Sequence, residues 1–209
     1  MDYNISTKGQ RSMTQFERID ELIKNQNGII RTAQVIEAGI PKSTFYLYVK
    51  DQELEQTSHG IYVSKEAWID AMYVLHLRCE QIVFSHDIAL FFHDLSDREP
   101  MEYAVTVKTG YNPSKLRADG IQVYTVKKEL HELGKTIMKT SFGHEVPVYD
   151  MERTICDLIR NRSNIEIQVF QDAMKHYAMR KDKNLRNLMQ YAKAFRVEKI
   201  LRQYLEVLL

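Results

Sequence analysis

The sequence is poor in cysteine and contains no long apolar segment. Its 209 residues include only two cysteines, Cys79 and Cys156, which lie far apart inside periodic apolar segments. This spacing argues against a disulfide framework or a zinc knuckle and predicts reduced, buried thiols. No window of about 18 apolar residues occurs, and the first residues lack the apolar core of a secretory signal. We therefore expect a cytoplasmic protein without membrane contact.

Motifs for catalysis and for cofactor binding are equally scarce. The glycines stand singly in turn-like sequences, so the chain has no glycine-rich phosphate loop, and it has no nucleophile elbow. His86 and His93 are seven residues apart and could lie near one helix face, but no third ligand follows at a diagnostic spacing. The sequence therefore predicts neither a metal site nor a cofactor, and it favours a protein that is not an enzyme.

A nuclease is the enzyme class that the sequence approaches most closely. Asp97, Glu99 and Glu102 precede a predicted strand that ends at Lys108. Metal-dependent nucleases often place a carboxylate two residues before such a lysine, and here that position is Thr106. Without that carboxylate a catalytic metal ion loses a ligand, so hydrolysis is poorly supported. A nucleic-acid-processing enzyme remains the alternative to a non-catalytic protein.

Length and composition indicate a globular protein of two domains. Hydrophobic residues make up 44% of the chain and charged residues 27%, which excludes the charge excess of disordered proteins. We place the domains at residues 1–65 and 66–209.

The charges are unevenly distributed along the chain. Residues 1–65 contain eight basic and eight acidic residues, residues 66–150 contain nine basic and thirteen acidic residues, and residues 151–209 contain twelve basic and seven acidic residues. The neutral first domain is a weak electrostatic footprint for nucleic acid, for which a basic domain is expected.

The first domain nevertheless has the pattern of a winged helix-turn-helix. Thr14 and Glu17 are spaced as a capping box, which predicts a first helix over 15–25. Thr32 is the expected N-cap of a second, short helix, and a third helix is predicted over 42–51. Two short strands then flank the sequence SHG and predict a wing. Three helices followed by a hairpin is the element order of this DNA-binding motif.

The third helix is amphipathic, and its outer face predicts the DNA contacts. Phe45, Tyr48 and Val49 share one face, which leaves polar, aromatic and cationic side chains on the other. A helix of this kind fits the major groove, where polar side chains reach base edges and cations hold phosphates. A solvated face used for protein contacts is the alternative interpretation. The residues expected to contact DNA are Lys42, Ser43, Thr44, Tyr46 and Lys50, with Arg31 beside the second helix and His59 at the tip of the wing.

The rest of the chain predicts a mixed domain that ends in helices. Ser85 is the expected cap of the second helix of this region, and Pro147 indicates an edge strand. Arg153, Asp157 and Arg160 are spaced as an exposed ion-pair ladder, or as a surface for a partner. The fold class is therefore α+β, with an N-terminal winged helix-turn-helix, a mixed α/β domain and a helical C-terminal bundle. The predicted helices cover 66–79, 86–95, 152–161, 165–180, 183–194 and 196–208, and the predicted strands cover 103–107, 121–126 and 145–149.

Over residues 14–209 the chain resembles AbiEi-type antitoxins of type IV (abortive infection) toxin–antitoxin systems. The resemblance is carried by the helix-turn-helix with its SHGIYVS wing and by the segments FSHDIALFFHDLSDREP, VTVKTGYNPSKL and VPVYDMERTICDLIR. It implies a phage-defence protein whose winged helix represses its own operon and whose C-terminal domain neutralises a nucleotidyltransferase toxin. It also implies that neutralisation does not require a stable complex with the toxin.

The favoured hypothesis is an antitoxin that also acts as a transcriptional autorepressor. A weakly charged module binds DNA poorly alone, so we expect operator DNA with repeated half-sites that are occupied together. A plain repressor that responds to a small molecule is a further alternative, and release from DNA by a ligand would identify it.

Overall fold

The structure is a computed structural model that describes residues 13–208. By their contacts these residues divide into two compact units, one that ends at Arg78 and one that begins at Cys79. The domains at 1–65 and 66–209 stay a prediction, but residues 66–78 belong by contacts to the first unit. Tyr73 donates a hydrogen bond of 2.6 Å to the Gln26 side chain, which ties this segment to the preceding helices.

The first helix of the first unit, α1 (Gln15–Asn25), begins at the predicted capping box. The Thr14 hydroxyl accepts the Glu17 N–H at 3.2 Å, and the Glu17 carboxylate accepts the Thr14 N–H at 2.7 Å. The helix ends before Gly28, whose φ of 88° is left-handed. A Cβ built on Gly28 would lie 2.2 Å from the Cβ of Ala67, so this turn requires glycine. The predicted capping box and first helix are confirmed.

Two further helices complete the helix-turn-helix, α2 (Thr32–Glu37) and α3 (Lys42–Asp51). The prediction that Thr32 caps α2 is wrong, because Arg31 is the N-cap and Thr32 is already helical. The Thr32 hydroxyl donates instead to the Gly60 carbonyl at 3.3 Å. This bond joins α2 to the wing, a long-range partner that a local capping pattern does not reveal.

A three-stranded antiparallel sheet follows the helices and contains the wing. Its strands are β1 (Ile29–Arg31), β2 (Glu55–Ser58) and β3 (Ile61–Val63), in the order β1-β3-β2. Together with α1 to α3 they give the element order of a winged helix. The core of this unit is formed by buried side chains of all three helices and of the sheet, namely Ile19, Ile23, Ile30, Val35, Ile40, Phe45, Tyr48 and Tyr62.

The last element of the first unit is α4 (Ala71–Arg78), which begins later than the predicted start at residue 66. Asp70 explains this start, because its carboxylate accepts the Tyr73 N–H at 3.1 Å and thereby caps the first turn. The preceding residues, Trp68 and Ile69, are non-helical and exposed.

The second unit is built on a five-stranded mixed sheet with the order β6-β5-β4-β8-β7. Parallel pairing joins β5 to β6 and β4 to β8, whereas β4 to β5 and β7 to β8 are antiparallel. The strands are β4 (Val83–Phe84), β5 (Ala104–Lys108), β6 (Gln122–Val126), β7 (Lys135–Lys139) and β8 (Glu145–Tyr149).

The position of Pro147 differs from the prediction of an edge strand. Its strand lies inside the sheet between β4 and β7. The neighbouring β4 is only two residues long and pairs with β8 through Phe84 and Val148 alone. Proline has no N–H to donate to a neighbouring strand. Beside a ladder as short as that with β4, this costs few strand-to-strand hydrogen bonds, so proline is tolerated.

Helices cover the sheet, and α8 lies at the centre of their core. Eight consecutive residues of α8, 152–159, are buried, and the helix contacts α5, α9, α10 and α11. Its N-cap is Asp150, whose carboxylate accepts the Arg153 N–H at 2.8 Å. The helices are α5 (Asp87–Phe92), α6 (Ser114–Ala118), α7 (Lys128–His131), α8 (Met151–Asn161), α9 (Ile167–Met179), α10 (Leu185–Ala194) and α11 (Glu198–Leu208), with a short 3-10 helix at Arg162–Asn164.

The predicted exposed ladder on α8 is wrong. Arg153 is 0% exposed and Asp157 is 1% exposed, and only Arg160 reaches the surface. The Arg153 Nε donates to the Asp157 carboxylate at 3.0 Å inside the core. An i,i+4 spacing identifies the pair but does not say which face of the helix is covered.

Both cysteines are free, as the sequence predicted. Cys156 is buried on α8, and burial raises the pKa of its thiol. Cys79 is only half-buried, and its sulfur lies 3.1 Å from the Tyr111 hydroxyl. Among the described residues, none of the helices combines the length and apolarity that crossing a bilayer requires.

Candidate nucleic-acid interface

The outer face of α3 is positioned by the two aromatic side chains on its inner face. Phe45 is 0% exposed and Tyr48 is 4% exposed, and both belong to the core of the first unit. The Tyr48 hydroxyl donates to the Asp20 carboxylate on α1. Burial and this acceptor raise the pKa of Tyr48, so the hydroxyl keeps its proton. These contacts fix the rotation of α3 about its own axis.

With this rotation the opposite face of α3 points to solvent. Ser43, Tyr46, Leu47 and Lys50 are exposed and lie at i, i+3, i+4 and i+7, so they form one stripe along the helix. Lys42 is exposed in the first turn. We call these five residues the α3 face. It combines two cations, a hydroxyl, an aromatic ring and an aliphatic side chain.

Tyr46 links the α3 face to the wing. Burial raises the pKa of Tyr62 on β3, and the nearby Tyr46 side chain raises it further. The Lys42 ammonium lies 5.4 Å from the centre of the Tyr46 ring, within the range of a cation–π contact. Lys42 and Tyr46 are thus ordered relative to each other before any ligand binds.

The structure brings together most, but not all, of the predicted DNA-contacting residues. Lys42, Ser43, Tyr46 and Lys50 share the α3 face, whereas Thr44 is half-buried at the inner margin of the helix. His59 is exposed between β2 and β3, at the tip of the wing. Arg31 is half-buried, and its Nη1 donates to the Leu77 carbonyl at 3.2 Å. Its guanidinium is thereby engaged with α4.

Leu47 is the residue of the α3 face that was absent from the predicted contact set. It is 64% exposed, which is more than the 44% of Tyr46. The helical period already placed Leu47 on the outer face. It was left out because an exposed leucine carries no hydrogen-bonding group, although apolar contacts also contribute to base readout.

In the second unit His86 lies within a buried polar cluster. His86 is the N-cap of α5 in place of the predicted Ser85, with φ 51° and ψ −123°. Asn161 Nδ2 lies 2.9 Å from the His86 Nε2, and Ser85 Oγ lies 3.0 Å from Nδ1. The His86 ring stacks on Tyr124 at 3.4 Å. Burial, together with Arg153 and Arg160, lowers the pKa of His86 to about 3, so the imidazole is neutral at pH 7.

The two histidines that suggested a metal site have different partners. His86 bonds to Asn161 and Ser85, whereas the His93 Nε2 lies 2.7 Å from the Tyr149 carbonyl oxygen. Within residues 13–208, no group of three or more His, Cys, Asp or Glu side chains is arranged to hold a metal ion.

The residues of the nuclease alternative are likewise separated. Thr106 is fully buried and donates to the Ser85 hydroxyl at 2.9 Å. Lys108 forms an ion pair of 3.1 Å with Glu132, which is not one of the predicted loop carboxylates. Asp97 and Glu99 are exposed in the loop after α5. Lys108 is therefore paired with a carboxylate other than those that the nuclease alternative requires.

Comparisons with known proteins support the regulatory interpretation. Residues 17–65 match the family model described as "Transcriptional regulator, AbiEi antitoxin". Among solved structures, the chain is similar to the RV2827C protein from Mycobacterium tuberculosis, with a TM-score of 0.54 and 11% sequence identity. That alignment covers 88% of this chain and 73% of the other, so it supports the fold across both units. No curated protein matches the sequence.

The matched segment runs from α1 through β3 and contains the whole α3 face. The resemblance to AbiEi-type antitoxins is thus confirmed over this segment, and the family is one of regulators and not of enzymes. Over residues 17–65 this chain is therefore similar to the AbiEi antitoxin transcriptional regulators.

Proposed function

We propose that this protein is the antitoxin of a type IV toxin–antitoxin system and represses its own operon by inserting α3 into the major groove of operator DNA. The observation that carries the proposal is the α3 face, which presents two lysines and a pre-ordered tyrosine on a rigid helix inside the segment that matches the regulator family. Repression of its own operon requires the protein to be present with the DNA, so the proposal implies a cytoplasmic location.

The small charge of the interface leads us to propose two half-sites. The α3 face contributes two cations, Lys42 and Lys50, and acidic residues follow it at Asp51, Glu53 and Glu55. Phosphate contacts supply most of the sequence-independent affinity, so a single winged helix with so few cations binds weakly. Two copies on adjacent half-sites combine two weak interactions into one stable complex.

A gel shift at several salt concentrations, on the DNA directly upstream of the gene, tests the DNA-binding function. Wild type is compared with the triple variant Lys42→Ala/Tyr46→Ala/Lys50→Ala. Each lost phosphate contact reduces the slope of log affinity against log salt by about 0.9. We therefore expect the variant to lose specific binding and to show a shallower salt dependence. A Lys24→Ala variant, which removes an exposed lysine from α1, is the matched control and should bind like wild type.

Unchanged binding by the triple variant would refute the α3 face as the DNA site. Retained binding that is lost only when exposed cations of α10, such as Arg186 and Lys193, are replaced would move the site to the second unit. A single bound copy at saturation, with no cooperativity, would refute the two half-sites.

We further propose that the second unit counteracts a nucleotidyltransferase toxin without a stable complex. This part rests on the sequence resemblance carried by segments of the second unit, VTVKTGYNPSKL and VPVYDMERTICDLIR. Co-expression with a nucleotidyltransferase encoded beside the gene should restore growth, and the triple variant should restore it equally because the α3 face serves only DNA. Failure of the wild-type protein to restore growth would refute the antitoxin function and leave repression untouched.

A further inference from the structure

We propose that Leu47 reads thymine methyl groups in the major groove and so gives the operator its preference for thymine at the centre of each half-site. This inference rests on the proposed DNA-binding function. It concerns which bases α3 recognises, and not whether α3 binds DNA.

Leu47 lies in the middle of the outer stripe of α3. It follows Ser43 by four residues and precedes Lys50 by three. The major groove admits an α-helix, and the outer face of α3 is the side that would meet the base edges there. At 64% exposure, Leu47 presents most of its side chain to that space.

The large side chains next to each other on the stripe differ in their contacts. The Lys42 ammonium lies 5.4 Å from the centre of the Tyr46 ring, within the range of a cation–π contact. Leu47 is a hydrocarbon side chain, so it gains only from contact with another apolar group. Its exposure leaves it accessible to such a group on a ligand of the α3 face.

The charges on either side of Leu47 favour DNA as the molecule that covers it. Lys42 and Lys50 lie on either side of Leu47 along the helix, so a surface that covers Leu47 must accommodate two cations. DNA supplies phosphates for both cations, and the thymine C5-methyl is the apolar group exposed in the major groove. A second copy of the protein would place like charges against each other, which disfavours a dimer contact through this face.

Uracil-substituted DNA isolates the methyl group, because uracil differs from thymine only by lacking it. The experiment measures binding of the wild-type full chain to the upstream DNA and to the same duplex with every thymine replaced by uracil. Burying one apolar carbon corresponds to about a fourfold change in affinity. We expect wild type to bind the uracil duplex about fourfold more weakly for each methyl contacted.

Variants assign this preference to Leu47. Leu47→Ala should bind the two duplexes equally, whereas Leu47→Met, which keeps an apolar side chain of similar length, should retain the preference. Ile36→Ala removes an exposed aliphatic side chain from α2 and is the matched control, which should behave like wild type. Because Leu47 is exposed, these variants should fold, and their circular dichroism spectra should match that of wild type.

Two results would overturn the proposal. Equal binding of both duplexes by wild type shows that no methyl is read, and an undiminished preference in Leu47→Ala shows that another residue reads it. Either result leaves the DNA-binding function standing, provided that wild type still selects the upstream DNA over unrelated DNA. Loss of that selection refutes the DNA-binding function and the thymine proposal together.

Discussion

Replacing Arg153 by methionine removes the cation that forms an ion pair with Asp157, a buried carboxylate of α8, and we expect a large loss of stability. The guanidinium donates from Nε to Asp157 at 3.0 Å and from Nη1 to the carbonyls of Leu130 and Leu133, both at 2.7 Å. Its central carbon lies 3.9 Å from the centre of the Tyr149 ring. One side chain therefore joins α8 to α7 and to the loop between α7 and β7.

The magnitude follows from what the substitution leaves behind. Removing one partner of a buried ion pair typically costs about 3–5 kcal/mol, because the other charge stays buried without compensation. Methionine preserves most of the packing volume, so the cavity contribution is small. At roughly 2–4 °C per kcal/mol for a chain of this size, the midpoint of thermal unfolding should fall by about 6–20 °C.

The pH dependence separates this mechanism from a packing defect. Burial raises the pKa of Asp157, and Arg153 opposes that rise, so the pKa should rise further in Arg153→Met. A carboxyl whose folded pKa lies above its unfolded value stabilises the fold fully only below the unfolded pKa, about 3.9. That stability is lost as the pH increases through the folded pKa. The deficit relative to wild type should therefore be smallest near pH 4 and should grow toward neutral pH.

Urea unfolding followed by circular dichroism at several pH values measures these differences on the full chain. The double variant Arg153→Met/Asp157→Leu removes both charges and should recover much of the lost stability, since apolar replacement of a buried pair is often neutral. A loss below about 1 kcal/mol in Arg153→Met, or a deficit independent of pH, would refute the reasoning.

Three further predictions concern other contacts of the structure. Gly28→Ala should destabilise the first unit strongly, because φ at Gly28 is left-handed and the added Cβ would lie 2.2 Å from the Ala67 Cβ. Gly39→Ala should cost only about 1 kcal/mol, because a Cβ added there would have no neighbouring atom within 4 Å. Thermal unfolding of the two variants compares these losses. Because the pKa of His86 is lowered to about 3, stability should be lost as the pH falls from about 6.5 toward that value, and His86→Gln should remove this part of the acid dependence in urea titrations. Thr14→Ala should cost about 1 kcal/mol through loss of the α1 cap, and Thr14→Ser should cost much less; equal losses in the two variants would contradict the capping contribution.

Several features of the first unit could be predicted from local sequence. The capping box at Thr14, the helical period of α3 and the turn before the returning strand each depend on residues within one or two helical turns. Because these interactions are local, they act almost independently of the rest of the fold. The outer face of α3 was identified for the same reason, since Phe45 and Tyr48 mark the side that must be buried.

Other features could not be predicted, because they depend on residues that are distant in sequence. The strand β7 (Lys135–Lys139) was missed, because none of its side chains is buried, and it is recognisable only through its pairing with β8. Ser85 was expected to cap a helix, but its hydroxyl accepts a bond from Thr106, which is 21 residues away. Side-chain hydroxyls satisfy whichever partner the fold brings near them, and the sequence does not rank the candidates.

The sequence by itself determined the helices of the first unit and most helices of the second, since hydrophobic period and capping are properties of short segments. On α3 the period also placed Leu47 on the outer face, where the structure shows it exposed. Only the tertiary structure decided the pairing of β7 and the covering of α8. The i,i+4 spacing of Arg153 and Asp157 suits a solvated ladder or a buried pair equally well, and it is buried because α8 is surrounded by other helices. Burial depends on the whole packing of a unit, so it cannot be derived from residue type and spacing alone.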